Sequence, residues 1–278
     1  MIELFHTISH DCSKIIAERY STSFSSAIRM LHVDLRMPIF DIYGFVRVAD
    51  EIVDTFHGYD KANLLADFKQ QTYQAIQNGI SLNPVLHSFQ LTVNKYNIDL
   101  ALIEAFFNSM EMDLEDRHYD ASTYKTYIFG SAEVVGLMCL FVFCQGDKLQ
   151  YEALKPAAQS LGAAFQKVNF LRDIKADSEE LNRTYFPNVN FKNFTEADKK
   201  AIEIDIAEDL RMAHQGILLL PTKARFGVYV AYKYYLTLFK KIKSAEPQVL
   251  LQNRVRISNT FKAVILVKAG LRSSFNAL

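Results

Sequence analysis

Apolar residues recur every three to four positions along almost the whole chain, which is the period of an α-helix. Residues that interrupt helices are scarce, since the 278 residues include only 10 glycines and 6 prolines. Their combined share, roughly 6%, is about half of the usual value. Few turns favour long helices over many short strands. The sequence therefore predicts an all-α protein.

The prolines lie where the apolar pattern would begin or end a helix, and the pattern predicts about ten helices. Pro38 and Pro84 suit first turns, Asp120 suits a helix cap, and Pro156 predicts a break inside a long helix. No segment rich in Pro, Gly or Ser divides the chain, so residues 1–278 are expected to form one domain. The predicted helices span residues 10–31, 38–57, 60–78, 82–95, 98–115, 121–145, 148–182, 195–219, 223–244 and 254–275.

Charge and composition exclude several classes of protein. The 31 basic and 31 acidic side chains balance and no block of Lys or Arg occurs, so no nucleic-acid partner is expected. Three cysteines without a CxxC pair predict neither a disulfide framework nor a zinc ribbon. The seven histidines lack metal-binding spacing. Neither a GxSxG nor a GxGxxG motif occurs, so serine hydrolysis and a Rossmann nicotinamide site are not indicated.

The chain shows no typical targeting segment. Residues 1–14 lack a basic stretch followed by an apolar core, so a secretory signal is not expected. The most apolar run, Val134–Cys144, is too short to cross a bilayer and predicts a buried core helix. The apolar run from residue 264 onwards is interrupted by Lys268 and Arg272. These features predict a cytoplasmic protein that would touch a membrane rather than cross it.

A first group of charged residues interrupts an otherwise apolar helix. The segment Ile39–Phe56 is mostly apolar, yet it carries Arg47, Asp50 and Asp54. The two aspartates are four residues apart, so on a helix they lie on one face, one turn from each other. Arg47 precedes Asp50 by three residues and shares that side of the helix.

A second segment repeats this arrangement near the middle of the chain. Gln166, Asn169, Asp173 and Asp177 follow one another at spacings of three, four and four, so they form one helical stripe. Arg172 lies beside the stripe.

Two carboxylates on one face of an apolar helix repel each other, so a positive partner is expected. Mg²⁺ prefers carboxylate oxygens and retains open positions for phosphate oxygens. Acidic pairs also arise by chance on solvated faces, as Glu111 and Glu115 illustrate. Two pairs, each beside an arginine and each inside an apolar helix, instead favour a metal-bridged diphosphate site with Arg47 and Arg172 as phosphate partners.

Five ordered segments resemble the squalene and phytoene synthases, the head-to-head branch of the class I isoprenoid synthases. The resemblance covers nearly the whole chain, and Tyr235 and Arg254 fall near the family's C-terminal Tyr and Arg positions. The five segments are YSTSFSSAIRML (20–31), YGFVRVADEIVD (43–54), YIFGSAEVVGLM (127–138), GAAFQKVNFLRDIKAD (162–177) and RTYFP (183–187).

The resemblance implies a helical bundle around a central apolar cavity, with the two Asp motifs facing each other across its mouth. Several Mg²⁺ ions, with Mn²⁺ as a substitute, are implied cofactors, and their ligands would be Asp50, Asp54, Asn169, Asp173 and Asp177. The implied catalytic residues are these four aspartates together with Tyr127 and Arg172. The implied substrate-binding residues are Ser21, Ser23, Phe24, Tyr43, Arg47, Gln166, Asn169, Tyr235 and Arg254.

One position departs from the family pattern, because Glu133 stands where the family usually has a glycine. Glu133 either pairs with a basic or hydroxyl side chain and tunes packing, or reaches the cavity mouth. Apolar residues near the motifs are candidates for the cavity wall, although plain core packing also explains them. These candidates are Phe24, Phe45, Leu137, Met138, Leu140, Phe141, Phe165 and Phe170.

The activity implied by the resemblance is that of a prenyltransferase of the phytoene synthase type. Two geranylgeranyl diphosphates would condense head to head to phytoene through a cyclopropylcarbinyl diphosphate. The alternatives are a squalene or dehydrosqualene synthase that uses farnesyl diphosphate, and a non-catalytic assembly or binding protein of the same fold. NADPH is not expected for phytoene formation, but squalene-type enzymes of this fold use it without a Rossmann site, so a reductive step stays open. The sequence does not indicate an oligomeric state.

Overall fold

A computed structural model of the protein describes residues 1–114, 119–179, 185–187, 189 and 191–274, with the side chains of residues 176–179, 192 and 272–274 left aside. The described residues form thirteen α-helices and no strand, which confirms the all-α prediction. The first six helices are α1 (Ile2–Tyr20), α2 (Thr22–Ile28), α3 (Val33–Asp54), α4 (Lys61–Asn78), α5 (Pro84–Tyr96) and α6 (Leu100–Met112). The others are α7 (Ala121–Ile128), α8 (Val134–Cys144), α9 (Lys148–Glu179), α10 (Glu196–Leu219), α11 (Thr222–Lys243), α12 (Pro247–Gln252) and α13 (Asn259–Ser274).

The first two predicted helices have different bounds in the structure. The predicted helix 10–31 is two helices, because Ser21 adopts an extended backbone and its side chain accepts a hydrogen bond from the Phe24 N–H. This bond caps α2 and lets the chain change direction without Gly or Pro. The next helix begins at Val33 rather than at Pro38, which lies in its second turn.

Pro156 does not break α9, contrary to the sequence prediction. The helix runs without interruption for 32 residues. A proline inside a helix costs about 3 kcal/mol, and the packing of α9 against α8, α10, α11 and α12 offsets this cost.

The predicted helix 121–145 contains a turn of π-helix, Phe129–Glu133, between α7 and α8. Gly130 lies in this turn because the Ala105 carbonyl oxygen of α6 would be 2.4 Å from any Cβ atom there. The whole helical run Ala121–Cys144, which is longer than the predicted core segment Val134–Cys144, is long and apolar enough to cross a membrane by length and composition. More than half of its most apolar 18-residue window is buried inside the protein, and α8 packs against α3, α6 and α9, as expected for a core helix.

Two clusters of buried apolar side chains form the core. One is built mainly by α1, α3, α4, α5, α6 and α8, and the other mainly by α9, α10 and α11 together with α7 and the C-terminal helices. Phe141, Phe143, Ala158 and Val228 pack against both clusters. The cavity described below lies along this boundary, since residues of both clusters line it.

A polar network fixes α1 to this core. His10 Nδ1 lies 2.9 Å from Oδ1 of the fully buried Asp41 on α3, and Thr92 of α5 donates to Asp41 Oδ2 at 2.8 Å. His6 Nδ1 lies 2.7 Å from Nε2 of the fully buried His87. Only one proton can occupy the contact between two imidazole nitrogens, so protonation of both rings would break it.

We expect His87 to reduce the stability of the protein in mild acid. Burial, His6 and His10 lower the pKa of His87 below 6.5, so the unfolded chain binds more protons than the folded chain at about pH 5 to 6. The contribution of His87 to the free energy of unfolding then decreases as the pH falls through this window. In urea unfolding at about pH 7.5 and 5, His87→Gln should show a smaller decrease than the wild type, and the exposed His57→Gln should match the wild type. Equal pH slopes in all three proteins would contradict this assignment.

Candidate active site

A cavity of about 540 Å³ lies between α2, α3, α9, α10 and α11. Charged side chains line it near the C-terminal ends of α3 and α9, and apolar side chains line it along the earlier turns of both helices. On α9 the lining extends from Leu154 to Asp173, which corresponds to about 28 Å of helix at ~1.5 Å per residue. The cavity is therefore long, with charge at one end and an apolar wall behind it.

The first acidic group lies where the sequence places it, on the last two turns of α3. Asp50 and Asp54 both line the cavity. The Arg47 guanidinium lies 3.9 Å from Asp50 Oδ2, forms an ion pair with Glu51, and stacks 4.3 Å above the Tyr20 ring. Arg47 Nε is buried without a hydrogen-bond acceptor among the described atoms. A ligand oxygen in the cavity could satisfy this N–H group.

The second acidic group meets two arginines. Arg172 Nε donates to Asp173 Oδ1 at 3.0 Å, and Arg254 Nε lies 2.7 Å from the same oxygen. Arg254 comes from the segment between α12 and α13, 81 residues further along the chain. The fold therefore brings the C-terminal arginine to the cavity. The side chain of Asp177 lies outside the described residues, although the α9 backbone continues to Glu179.

Polar and aromatic side chains join the two acidic groups. Tyr235 Oη donates to Asn169 Oδ1 at 3.2 Å, and its ring stacks on Phe165 with 3.8 Å between centroids. Gln166 Nε2 donates to Ser131 Oγ at 3.4 Å. Burial raises the pKa of Tyr235, and burial raises the pKa of Tyr43 to about 12 although Arg47 opposes this rise. Both tyrosines therefore stay neutral and can donate hydrogen bonds.

Tyr127 forms a buried pair that the sequence did not reveal. Its hydroxyl donates to Asp113 Oδ2 at 2.8 Å, and both residues line the cavity. Burial and the Asp113 charge raise the pKa of Tyr127 well above its usual range. Asp113 follows the acidic end of α6, where the sequence resembles a solvated face, so no local signal distinguishes it.

The structure places the other predicted residues less uniformly. Ser21 lines the cavity, whereas Ser23 is not among the described lining residues; its carbonyl oxygen accepts a hydrogen bond from Ser26. Glu133 accepts a hydrogen bond from the Gln159 amide at 2.8 Å and is also absent from the described lining. Its partner is thus an amide on α9 rather than a basic or hydroxyl group, and it ties the π turn to that helix.

Four of the eight candidate wall residues line the cavity. Among the described lining residues are Phe24, Leu140, Phe165 and Phe170. The other four candidates follow the core-packing alternative instead, and they are Phe45, Leu137, Met138 and Phe141. Phe45, for example, stacks on Phe89 with 3.9 Å between ring centroids. Helical spacing alone does not distinguish a wall residue from a core residue because both are apolar.

The donor chemistry of the site fits Mg²⁺. Within the described part of the chain, no group of three His, Cys, Asp or Glu residues comes close enough to hold a metal alone. Asp50 and Asp54 on α3 and Asp173 on α9 offer carboxylate oxygens to the same cavity. Such sparse oxygen donors suit Mg²⁺, which completes its coordination with water and substrate phosphate. The unsatisfied Arg47 Nε beside them favours an anionic ligand.

Comparison with known proteins identifies the family. The sequence matches the squalene/phytoene synthase family model over residues 17–260. The chain belongs to this family. Phytoene synthase of Arthrospira platensis is 24% identical over 95% of this chain and 93% of its own length. Phytoene synthase 3 of Zea mays is also 24% identical over 95% of this chain, which spans 66% of that protein.

Solved structures share the fold. A ligand-bound dehydrosqualene synthase superposes with a TM-score of 0.82 at 18% identity, covering 97% of this chain and 98% of that one. Squalene synthase HpnC from Alicyclobacillus acidocaldarius has a TM-score of 0.72 at 18% identity over 87% of this chain and 95% of that one. The predicted isoprenoid synthase fold is thus confirmed. As a member of this family, the chain is a prenyltransferase-type enzyme of isoprenoid biosynthesis.

Proposed function

We propose that this enzyme condenses two geranylgeranyl diphosphates head to head to phytoene in an Mg²⁺-dependent reaction. The observation that carries the proposal is a long apolar cavity whose charged end combines Asp50, Asp54 and Asp173 with Arg47 and Arg172. An isoprenoid diphosphate has the same division into an apolar chain and an anionic head. Curated relatives named phytoene synthase support the choice of the geranylgeranyl substrate.

The charged end is suited to removing a diphosphate leaving group. We assign Mg²⁺ to Asp50, Asp54, Asn169, Asp173 and Asp177. When bound, Mg²⁺ supplies positive charge that offsets the charge developing on the leaving oxygens. Arg47, Arg172 and Arg254 add guanidinium donors for the same oxygens. Donors fixed by the fold need no reorganisation during ionisation, which lowers the barrier.

The apolar end is suited to protecting a carbocation. The first ionisation breaks a carbon–oxygen bond and releases one diphosphate. The double bond of the second substrate then attacks the allylic cation, and loss of a proton gives a cyclopropylcarbinyl diphosphate. A second ionisation, rearrangement and proton loss would give phytoene. The rings of Phe24, Phe165 and Tyr235, packed within 6 Å of one another, exclude water and present π faces to the cation.

The remaining side chains are assigned by position. Ser21, Tyr43 and Gln166 line the charged end, where they can orient diphosphate oxygens. The buried Tyr127–Asp113 pair is our candidate for receiving one of the released protons, because the Asp113 carboxylate accepts from the tyrosine hydroxyl. Arg254, which follows α12, contacts Asp173 in the cavity. A non-catalytic protein would not need this contact, so it supports an enzymatic role.

The alternative is a squalene or dehydrosqualene synthase that uses farnesyl diphosphate, the activities named for the structural relatives. Small side chains line the cavity on α9 and α10, namely Ala157, Ala158 and Ala213. Their small size leaves the apolar end of the cavity wide and supports the longer geranylgeranyl chain.

We propose a cytoplasmic location with peripheral membrane contact, because the substrate chain and the hydrocarbon product are lipophilic.

Product analysis separates these activities. The enzyme is offered farnesyl and geranylgeranyl diphosphates together with Mg²⁺, with and without NADPH, and the hydrocarbons are identified by mass. We expect phytoene in both conditions. A product made only from farnesyl units, or a product that changes with NADPH, would instead identify a synthase of the squalene type.

Narrowing the apolar part of the cavity should change the preferred substrate. Ala158 is partly buried and lines the cavity, so the ring of Ala158→Phe would occupy space used by a long chain. We expect kcat/KM for geranylgeranyl diphosphate to fall about ten-fold or more relative to that for farnesyl diphosphate. Ala153→Phe, at an exposed position on the same helix, should leave the ratio unchanged. An unchanged ratio of kcat/KM values in Ala158→Phe would show that the isoprenoid chain of the substrate binds elsewhere.

A further inference from the structure

The last helix, α13, exposes an apolar face beside the cavity. Its inner face is buried through Ile265 and Ala269 and packs against α11. Its outer face is formed by large apolar side chains that are 41–63% exposed. These outer residues, hereafter the α13 face, are Phe261, Val264, Val267 and Leu271. A contiguous apolar surface of this kind on a helix is typical of an interaction site.

The start of α13 is attached to the charged end of the cavity. Lys262 Nζ donates to Thr22 Oγ1 at 2.6 Å, and Thr22 directly follows the cavity residue Ser21. Arg254, which also lines the cavity, lies five residues before the helix begins. Burial and the nearby Arg172 lower the pKa of Lys262, in agreement with this position close to the site. The α13 face therefore begins next to the cavity entrance.

The surroundings of the α13 face are strongly basic. From Asn253 to Leu278 the sequence has five Lys or Arg residues and no Asp or Glu, although the whole chain is neutral. Lys268 is exposed on α13 itself. The exposed Lys241 at the end of α11 donates to the backbone oxygen of the exposed Arg256, which lies in the segment that leads into α13. An apolar helix face with basic neighbours matches the interfacial region of an anionic bilayer.

We propose that the α13 face docks the enzyme on the surface of an anionic phospholipid membrane. Its apolar side chains enter the interface between headgroups and acyl chains, and Lys241, Arg256 and Lys268 contact the lipid phosphates. Docking there brings the cavity entrance to the membrane. The benefit of docking to the enzyme rests on the proposed function, because the isoprenoid chain of the substrate and the hydrocarbon product partition into lipid.

The test is cosedimentation of the full chain with vesicles of phosphatidylcholine alone or with added phosphatidylglycerol. We expect the wild type to bind the anionic vesicles more strongly, with weaker binding at high salt. The double variant Val264→Gln/Val267→Gln should bind about ten-fold more weakly, and Lys268→Glu about five-fold more weakly. Leu82→Gln/Leu149→Gln, which removes two exposed leucines elsewhere, should bind as the wild type does.

Three outcomes would overturn the docking proposal. The first is absence of binding to either vesicle, and the second is wild-type binding by the Val264→Gln/Val267→Gln variant. The third is a dimer in size-exclusion chromatography that this variant abolishes, because the α13 face would then be a contact between two copies of the chain. Diphosphate release from detergent-dispersed substrate is measured in parallel and should be unchanged in the variant. Release without vesicle binding would refute only the docking surface, whereas vesicle binding without release would refute only the proposed function.

Discussion

Replacing Asp50 by asparagine is expected to lower kcat/KM for diphosphate release by about two to three orders of magnitude, the loss seen when one charge-stabilising group is removed. Asn keeps the size of the side chain but loses the negative charge that would bind Mg²⁺. Asp173→Asn should have a similar effect, and it would also leave the Arg172 and Arg254 guanidiniums without their shared carboxylate. Release of diphosphate from geranylgeranyl diphosphate at saturating Mg²⁺ measures both effects.

An exposed carboxylate provides the matched control for these variants. Asp67 lies on the solvated side of α4 and does not line the cavity, so Asp67→Asn should release diphosphate at the wild-type rate. Thermal unfolding should show that both site variants remain folded, because half-buried carboxylates at a cavity rim contribute little to packing. Wild-type turnover by Asp50→Asn and Asp173→Asn would refute the assignment of the site.

Adding one methyl group at Gly162 is expected to destabilise the protein by about 1–3 kcal/mol, the usual cost of overpacking. A Cβ atom there would lie 2.6 Å from the Ala132 carbonyl oxygen and 3.0 Å from the Glu133 Cα atom. These are backbone atoms of the π turn, so they cannot rotate away. Gly162→Ala should therefore separate α9 from the turn that carries Ser131, and should lower turnover as well as stability.

A Gly→Ala substitution on another helix should have the opposite effect on the free energy of unfolding. At Gly270 in α13 the nearest atom to an added Cβ would be 4.0 Å away, so Gly270→Ala should stabilise the protein by about 0.5–1 kcal/mol through higher helix propensity. Urea unfolding of the two variants measures the difference. Equal changes in the free energy of unfolding at both positions would show that α9 does not pack closely against the π turn at Gly162.

The charged faces could be predicted from the sequence because they depend on local helical spacing. Arg47, Asp50 and Asp54 come together within about two helical turns, and Asn169, Arg172 and Asp173 do so in the same way on α9. The family resemblance added Arg254 and Tyr235, which lie far away in the sequence. Asp113 was missed because its partner, Tyr127, lies 14 residues away on another helix. Tyr20 was missed for a similar reason, since its ring meets Arg47 only after the chain turns at Ser21.

The helix boundaries depended on interactions that the sequence does not display. The break at Ser21 rests on one capping hydrogen bond, and the continuity of α9 through Pro156 rests on its neighbours. The π turn at Phe129–Glu133 is packed closely against α6 and α9, where Gly130 and Gly162 leave room. Such features follow from tertiary packing, so patterns of apolar residues predicted the existence of these helices better than their ends.

In the proposed reaction, carboxylates on α3 and α9 use Mg²⁺ to ionise two prenyl diphosphates within one apolar cavity. The most direct measurement incubates the purified full chain with geranylgeranyl diphosphate and Mg²⁺ and quantifies released diphosphate and extracted hydrocarbon together. We expect phytoene, two diphosphates released for each phytoene formed, and loss of both products with EDTA. Release that persists with EDTA, or ionisation that yields only the alcohol, would contradict it.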